Sequence, residues 1–307
     1  MRIFENTSFE FIPKRRTAYL ISGTLIVLSI FALVTRGLET GIDFQGGTEF
    51  VIETGEALPI PGVRDALASA FGGVQPEVKT YDNDETLLIR TTAGGDNIDA
   101  LQSNAVNAMQ AAYPQATVNV VKIDSVGPRF ADDLKRGAIW AVLASLGVIF
   151  LYIMLRFEWR FSAGAVAALA HDVTITLGIF AMFHHLLPFS LQIDQAIIAA
   201  LLTIVGYSLN DTVVVFDRIR EYTNLFKTED YAKVVDRSIN STLSRPLVTS
   251  GTTLIVVLTL FIFGGEVLRG FAFALIVGVV IGTYSSVFVA SPVLVELKQR
   301  ALAAKAA

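Results

Sequence analysis

Cysteine is absent from this sequence, which excludes disulfides and thiolate metal ligands. Histidine occurs only three times, with His184 and His185 adjacent, too few for a histidine-rich metal cluster. Charge is scarce as well. Asp, Glu, Lys and Arg make up 17% of the chain, and a net charge of -4 leaves no global basic footprint for a nucleic acid. There is no G-x-x-x-x-G-K-[ST] loop for nucleotide phosphates, no H-E-x-x-H and no G-x-S-x-G elbow. The chain therefore reads as a non-enzyme that needs no cofactor and no metal. Gly46-Gly47 and Gly94-Gly95 are isolated pairs that read as turns.

What is abundant is apolar. Hydrophobic residues make up 53% of the chain, too many for a soluble domain of this length, so the chain reads as an integral membrane protein. Six spans can be drawn, at 17–34, 138–155, 161–183, 193–216, 247–263 and 268–290. The first follows Lys14-Arg15-Arg16 in the manner of a secretory signal. No small-residue cleavage site follows before Arg36, so it reads as an uncleaved anchor. Most of the 24 basic residues fall in residues 1–16, in the loop 218–246, in the tail 291–307 and beside Arg156 and Arg160. That asymmetry predicts a multi-pass protein of the cytoplasmic membrane with both termini in the cytoplasm.

The segment 36–136 is the one polar stretch large enough for a domain. Alternating residues predict strands at 49–54, 74–81, 85–91 and 117–123, with turn residues Asp82-Asn83-Asp84 between the second and third. Helical spacing predicts helices at 63–71 and, capped by Asp96, at 98–113. The order βαββαβ predicts a ferredoxin-like α+β unit outside the membrane, inserted between the first and second spans. In the loop 218–246, Val234, Val235, Ile239 and Leu243 share one side of an amphipathic helix at 231–243, for which the membrane surface is the cheapest placement.

The residues that could carry chemistry are polar groups inside the spans. An ionised carboxylate near mid-membrane costs roughly 2.5 to 3.5 kcal/mol even on lenient scales, and Asn210-Asp211 interrupts the fourth span. Thr203, Gly206, Tyr207, Asn210, Val214 and Asp217 recur at helical steps, with Asp211 and Arg218 one position round. Such a stripe should face other helices or water. Asp217 stands at the helix end beside Arg218 and Arg220, where an interfacial ion pair is expected. His171-Asp172 forms a second polar pair in the third span, either a relay element or a tie between helices. Arg245 opens the fifth span, as an interfacial anchor or as a counter-ion reaching toward Asp211 or Asp217. Gly278 and Gly282 make a small-residue face for close packing in the sixth. Dry surroundings favour a neutral carboxyl and an adjacent cation favours a charged one, so these parts suit a proton relay.

The motifs are also familiar ones. Asp43-Phe44-Gln45-Gly46-Gly47-Thr48 resembles the D-F-x-G-G signature of the SecD/SecF family of protein-export membrane proteins. The stretch Val205-Gly206-Tyr207-Ser208-Leu209-Asn210-Asp211-Thr212-Val213-Val214-Val215-Phe216-Asp217-Arg218 is similar to the fourth-helix motif of that family's SecF branch. So are Arg156-Phe157-Glu158-Trp159-Arg160, Ala170-His171-Asp172 and Ser250-Gly251-Thr252-Thr253-Leu254, and the likeness runs from Gly41 to Pro292. The resemblance implies half of a twelve-span unit of the RND superfamily, working with SecD and the SecYEG channel. It further implies use of the proton-motive force to promote preprotein translocation, with Asp211 the proton-handling acid and Arg245 the family's fifth-helix arginine. The start at Met1 reads as a separate polypeptide rather than the tail of a fusion. An RND-type small-molecule efflux transporter is the alternative, disfavoured because a single external segment is small for one.

Overall fold

The computed structural model describes residues 7–93, 97–184, 186–187 and 189–306. The pair Gly94-Gly95, the expected cap Asp96, and His185 lie outside them. In chain order the elements are α1 (Arg15–Thr35), α2 (Ile42–Gln45), β1 (Gly47–Glu53), α3 (Ile60–Ala70), β2 (Glu77–Tyr81), β3 (Asn83–Thr91), α4 (Ile98–Ala112) and β4 (Asn119–Val126). Then follow α5 (Pro128–Arg156), α6 (Trp159–Phe183), α7 (Gln195–Leu225), α8 (Tyr231–Thr242), α9 (Ser244–Phe263), α10 (Gly265–Ser285) and α11 (Ser291–Ala306). Two compact units result. One comprises Met1–Leu38, Trp140–Leu191 and Ala196–Ala307, the other Glu39–Ile139 and Gln192–Gln195.

Among the described residues, six helical stretches are long and apolar enough to cross a membrane: α1, α5, α6, α7, α9 and the run Val267–Ala304. Close approach in the first unit depends on residues without side chains. A Cβ on Gly278 would run into Ile204 of α7, and one on Gly282 would lie 2.9 Å from Ser208. This is the close packing that the small-residue face of the sixth span predicts. Gly178 meets Ser29 of α1, and Gly164 meets the carbonyl of Ala290 in the same way.

Several boundaries differ from the sequence reading. The second membrane helix begins at Pro128 rather than near residue 138, because Pro is pre-set for a helix's first turn. The sixth does not give way to a tail at 291. A π-helical turn, Ser286–Ala290, joins α10 to α11, and helix continues to Ala306. The Ser291 hydroxyl donates to the carbonyl of Ser286, five residues back, at 3.0 Å, the spacing that a π turn presents.

The amphipathic helix α8 is not laid on the membrane surface by its apolar side. Val235 and Ile239 are buried in a protein core with Phe157, Phe161, Phe216, Ile219 and Val295. Protein side chains supply the apolar contact that lipid was expected to give, with dispersion from close packing in addition. The same helix holds the chain ahead of α1. Asp236 Oδ1 accepts the N–H groups of Phe11 and Ile12 at 2.9 and 2.8 Å. Asn240 brackets Phe9, accepting its N–H at 2.9 Å and donating to its carbonyl at 2.8 Å.

The second unit is a four-stranded antiparallel sheet in the order β2-β3-β1-β4. With α3 and α4 it is the βαββαβ, ferredoxin-like arrangement. Alternation along β1 sends Phe50 and Ile52 to the helices, where they pack with Val63, Leu67, Leu87, Ile89 and Met109. The cap of α4 is Asn97, whose Oδ1 accepts the N–H of Ala100 at 3.0 Å, in place of the expected Asp96. β2 begins only at Glu77, because Pro76 cannot donate to a ladder. Asp82 turns the β2–β3 hairpin with φ 64°.

Charge gathers on the other face of this sheet. Arg90 donates to Glu49 and to Glu77, and Lys79 bonds Glu39 at 3.0 Å. Gln192, from the loop ahead of α7, enters the same cluster, donating to Glu39 and accepting from Arg90. Burial raises the Glu39 pKa, but the hydrogen bonds with Glu77 and Gln192 and the ammonium of Lys79 outweigh it and hold the carboxyl at about 2.

Candidate functional site

Two hydrogen-bonded groups lie inside the membrane helices of the first unit. The first centres on Asp172 of α6, which is fully buried, with His171 3% exposed. One carboxylate oxygen faces His171 Nδ1 at 2.9 Å. The other accepts from Ser208 of α7 at 2.6 Å and from Ser285 of α10 at 2.8 Å. Since a carboxylate only accepts, Nδ1 carries the ring proton toward it, and Nε2 faces the Ser22 hydroxyl of α1 at 3.1 Å. Ser22 in turn meets the Tyr284 hydroxyl at 3.2 Å. Four helices thus converge on one acid with three donors. The arrangement satisfies an ionised carboxylate as fully as a dry interior allows.

The second group centres on Asp211 of α7, 1% exposed. Its Oδ2 lies 3.4 Å from the Ser250 hydroxyl of α9, a long contact for two oxygens. Ser250 is 2.6 Å from Thr283 of α10 and accepts from Tyr207 at 3.2 Å. Thr283 sends its one proton to the carbonyl of Val279 at 2.7 Å. Ser250 is the donor toward Asp211, and its shorter contact to Thr283 offers the same hydroxyl a second partner.

The other site residues fall in different places. Asn210 is exposed, as are Thr203, Gly206 and Asp217. The expected stripe divides, because successive residues turn by 100° about the helix: Asp211 enters the bundle, while Asn210 stays exposed beside it with its side chain hydrogen-bonded to Asp211. Asp217 does form an ion pair at the helix end, with Arg156 of α5 at 3.1 Å rather than with its neighbours. Arg218 pairs with Glu221, and Arg220 donates to the carbonyl of Arg156. Arg245 is exposed and, among the described residues, makes no ion pair within 4.0 Å. It lines an open cavity of about 1180 Å³ with Val214, Arg218, Val248 and Thr249.

The signature residues lie in the second unit. Ile42 and Phe44 are buried, while Asp43 is half-buried. Gly46 and Gly47 take φ of 75° and 126°. A Cβ on Gly47 would come 2.5 Å from the carbonyl oxygen of Thr91, and one on Gly46 3.1 Å from Pro128 Cα, so both conformation and space call for glycine. Sequence reasoning missed Ser22 and the bond from Ser208 to Asp172. A lone serine in an apolar helix is a weak sign, and only its place opposite another helix's acid gives it meaning.

Comparison with known proteins accords with this geometry. Residues 105–300 match the family described as protein export membrane protein SecD/SecF, C-terminal, and residues 31–57 match the SecD/SecF GG motif. The chain is 61% identical to the protein translocase subunit SecF of Rhodothermus marinus, over 99% of this chain and 97% of that one. It is 43% identical to SecF of Vibrio alginolyticus, over 92% and 87%. Among solved structures it resembles SecDF of Thermus thermophilus, described as a translocon-associated membrane protein, with TM-score 0.84 and 36% identity. That match covers 97% of this chain and 40% of the longer SecDF chain. A second SecDF structure, in a super-membrane-facing form, gives TM-score 0.72 at 35% identity. These likenesses leave no place for the efflux alternative: the chain is a multi-pass membrane protein that belongs to the SecF family of protein translocase subunits.

Proposed function

We propose that this chain works with a SecD partner at the SecYEG channel, using the proton-motive force to promote preprotein translocation, and that Asp211 is the acid that takes up and releases the proton. In this reading the protein lies in the bacterial cytoplasmic membrane with both termini in the cytoplasm and the sheet domain outside. The observation that carries it is the contrast between the two buried acids. Asp172 is matched by three donors at 2.9, 2.6 and 2.8 Å, while the Ser250 hydroxyl reaches Asp211 only across 3.4 Å.

Loading and unloading Asp211 reverses the direction of its bond to Ser250, and with it the order of hydrogen bonds between α7, α9 and α10. Arg245, exposed at the start of α9, is the cation that would steady the ionised state, and Asp217 with Arg156 fixes the end of α7. The polar stripe of Thr203, Gly206 and Asn210, uncovered in this chain, is the face that SecD would cover, since lipid offers it no partners. His171-Asp172 holds the four helices together around the moving proton. A potential of 100 mV supplies about 2.3 kcal/mol for each charge that crosses.

The test is proton flux and preprotein export in the reconstituted complex with Asp211→Asn. Asn nearly conserves shape and cannot cycle a proton. Assembly at wild-type levels with flux and export stimulation abolished is expected, and normal export by this variant would sink the proposal.

A further inference from the structure

The signature segment has no chemistry of its own, yet its side chains and backbone are engaged on two sides. Asp43 Oδ2 accepts the N–H of Gln195, the first residue of α7, at 3.0 Å. The first N–H groups of a helix have no partner within it, and a carboxylate there also meets the positive end of the helix dipole. Beside that bond, residues 39–41 pair with the loop ahead of α7. Thr40 and Ile193 form a parallel bridge, with Gly41 N–H donating to Ile193 O at 2.9 Å and Ile193 N–H to Glu39 O at 2.8 Å. On the other side, Gly46 lies against Pro128, the first residue of α5, and Gly47 opens β1.

We propose that Asp43 is a positioning residue and that the segment Asp43-Phe44-Gln45-Gly46-Gly47 is a clasp. It fixes Gln195, the first residue of α7, within the sheet unit, so that the helix bearing Asp211 starts from a held point. Three bonds, from Glu39, Gly41 and Asp43 to Ile193 and Gln195, act together, and the two glycines allow the chain to pass between Thr91 and Pro128 beside them. The clasp itself stands on contacts within the sheet unit. Only its consequence for proton coupling rests on the role proposed for Asp211.

Hydrogen exchange on the full chain in its SecD complex, in lipid nanodiscs, tests the contact directly. In Asp43→Ala the amide of Gln195 should exchange about fivefold faster than in the unaltered protein, the scale of a lost helix cap, while the Phe50 and Ile89 amides are unchanged. Asp43→Asn keeps an acceptor that caps nearly as well and should restore both Gln195 protection and proton flux, which Asp43→Ala lowers severalfold at unchanged assembly. Unaltered exchange at Gln195 in Asp43→Ala overturns the clasp. So does equal loss of flux in the Asn and Ala variants. If Asp211→Asn proves normal, the proton reading falls while the exchange result at Gln195 still decides the clasp.

Discussion

Ser208 donates to Asp172 Oδ2 at 2.6 Å from a position one turn ahead of Asp211 on the same helix. A single helix therefore serves one buried acid as donor and carries the other, and α7 cannot turn at Asp211 without straining the bond at Asp172. Ser208→Ala and Ser285→Ala should each cost about 1 kcal/mol, a usual size for a side-chain hydrogen bond between membrane helices. Their combination leaves the carboxylate with His171 alone and should cost more than the sum. Unfolding in mixed detergent measures all three.

Asparagine should separate the two acids by stability. Asp172→Asn turns an amide N–H₂ or a single carbonyl toward donors that need two acceptors, and should destabilise the bundle by about 3 kcal/mol. Asp211→Asn should stay within about 1 kcal/mol of the unaltered protein, since its contact to Ser250 is long and an amide can still pair with Ser250 and the neighbouring Asn210. A lower thermal midpoint for Asp211→Asn than for Asp172→Asn would contradict the assignment.

Overpacking should be felt where α10 crosses α7. Gly278→Val sets a side chain on Ile204 and should cost about 1 to 3 kcal/mol. Gly206→Ala meets nothing within 4 Å in this chain and should leave its stability unaltered. Loss of SecD co-purification in Gly206→Ala would then report on the uncovered stripe rather than on folding.

Ile239→Ala distinguishes a helix buried in protein from one lying on lipid. Ile239 is fully buried among Phe157, Phe216 and Val235, and its truncation should cost about 2 to 5 kcal/mol. A cost near zero would return α8 to the membrane surface.

Acid should loosen the sheet domain through Glu39. Its folded pKa of about 2 lies below the ordinary value of 4.5 that the unfolded chain keeps, so its contribution to stability is fully present above that unfolded value. It is lost progressively as pH falls from 4.5 through about 2. Glu39→Gln should flatten that limb of the stability curve, read from far-UV circular dichroism of the full chain at stepped pH.

The fold was largely legible because its signals are local. Six long apolar runs, and strands with period-2 alternation around Phe50, Leu87 and Ile89, declare themselves within windows of ten to twenty residues. Asp211 and Asp172 were legible for the opposite reason, as costly residues in apolar surroundings. What escaped was long-range. Asp217 had two arginines beside it in sequence, yet takes Arg156 from another helix. The apolar side of α8 was plain, while the surface it covers lies on α6, α7 and α11. Asp43 and Gln195 stand 152 positions apart, and no periodicity links them.

That separation also sets an order of events during synthesis. Glu39, Glu49, Glu77, Lys79 and Arg90 can gather as soon as the four strands have been made, but Gln192 is 102 residues beyond Arg90 and 153 beyond Glu39. Until α5 and α6 have been made, the cluster lacks the one neutral group that donates to Glu39 and accepts from Arg90 in the finished domain. Completion of the sheet domain thus waits on two further membrane helices, and the last piece to arrive is the one from which α7 begins.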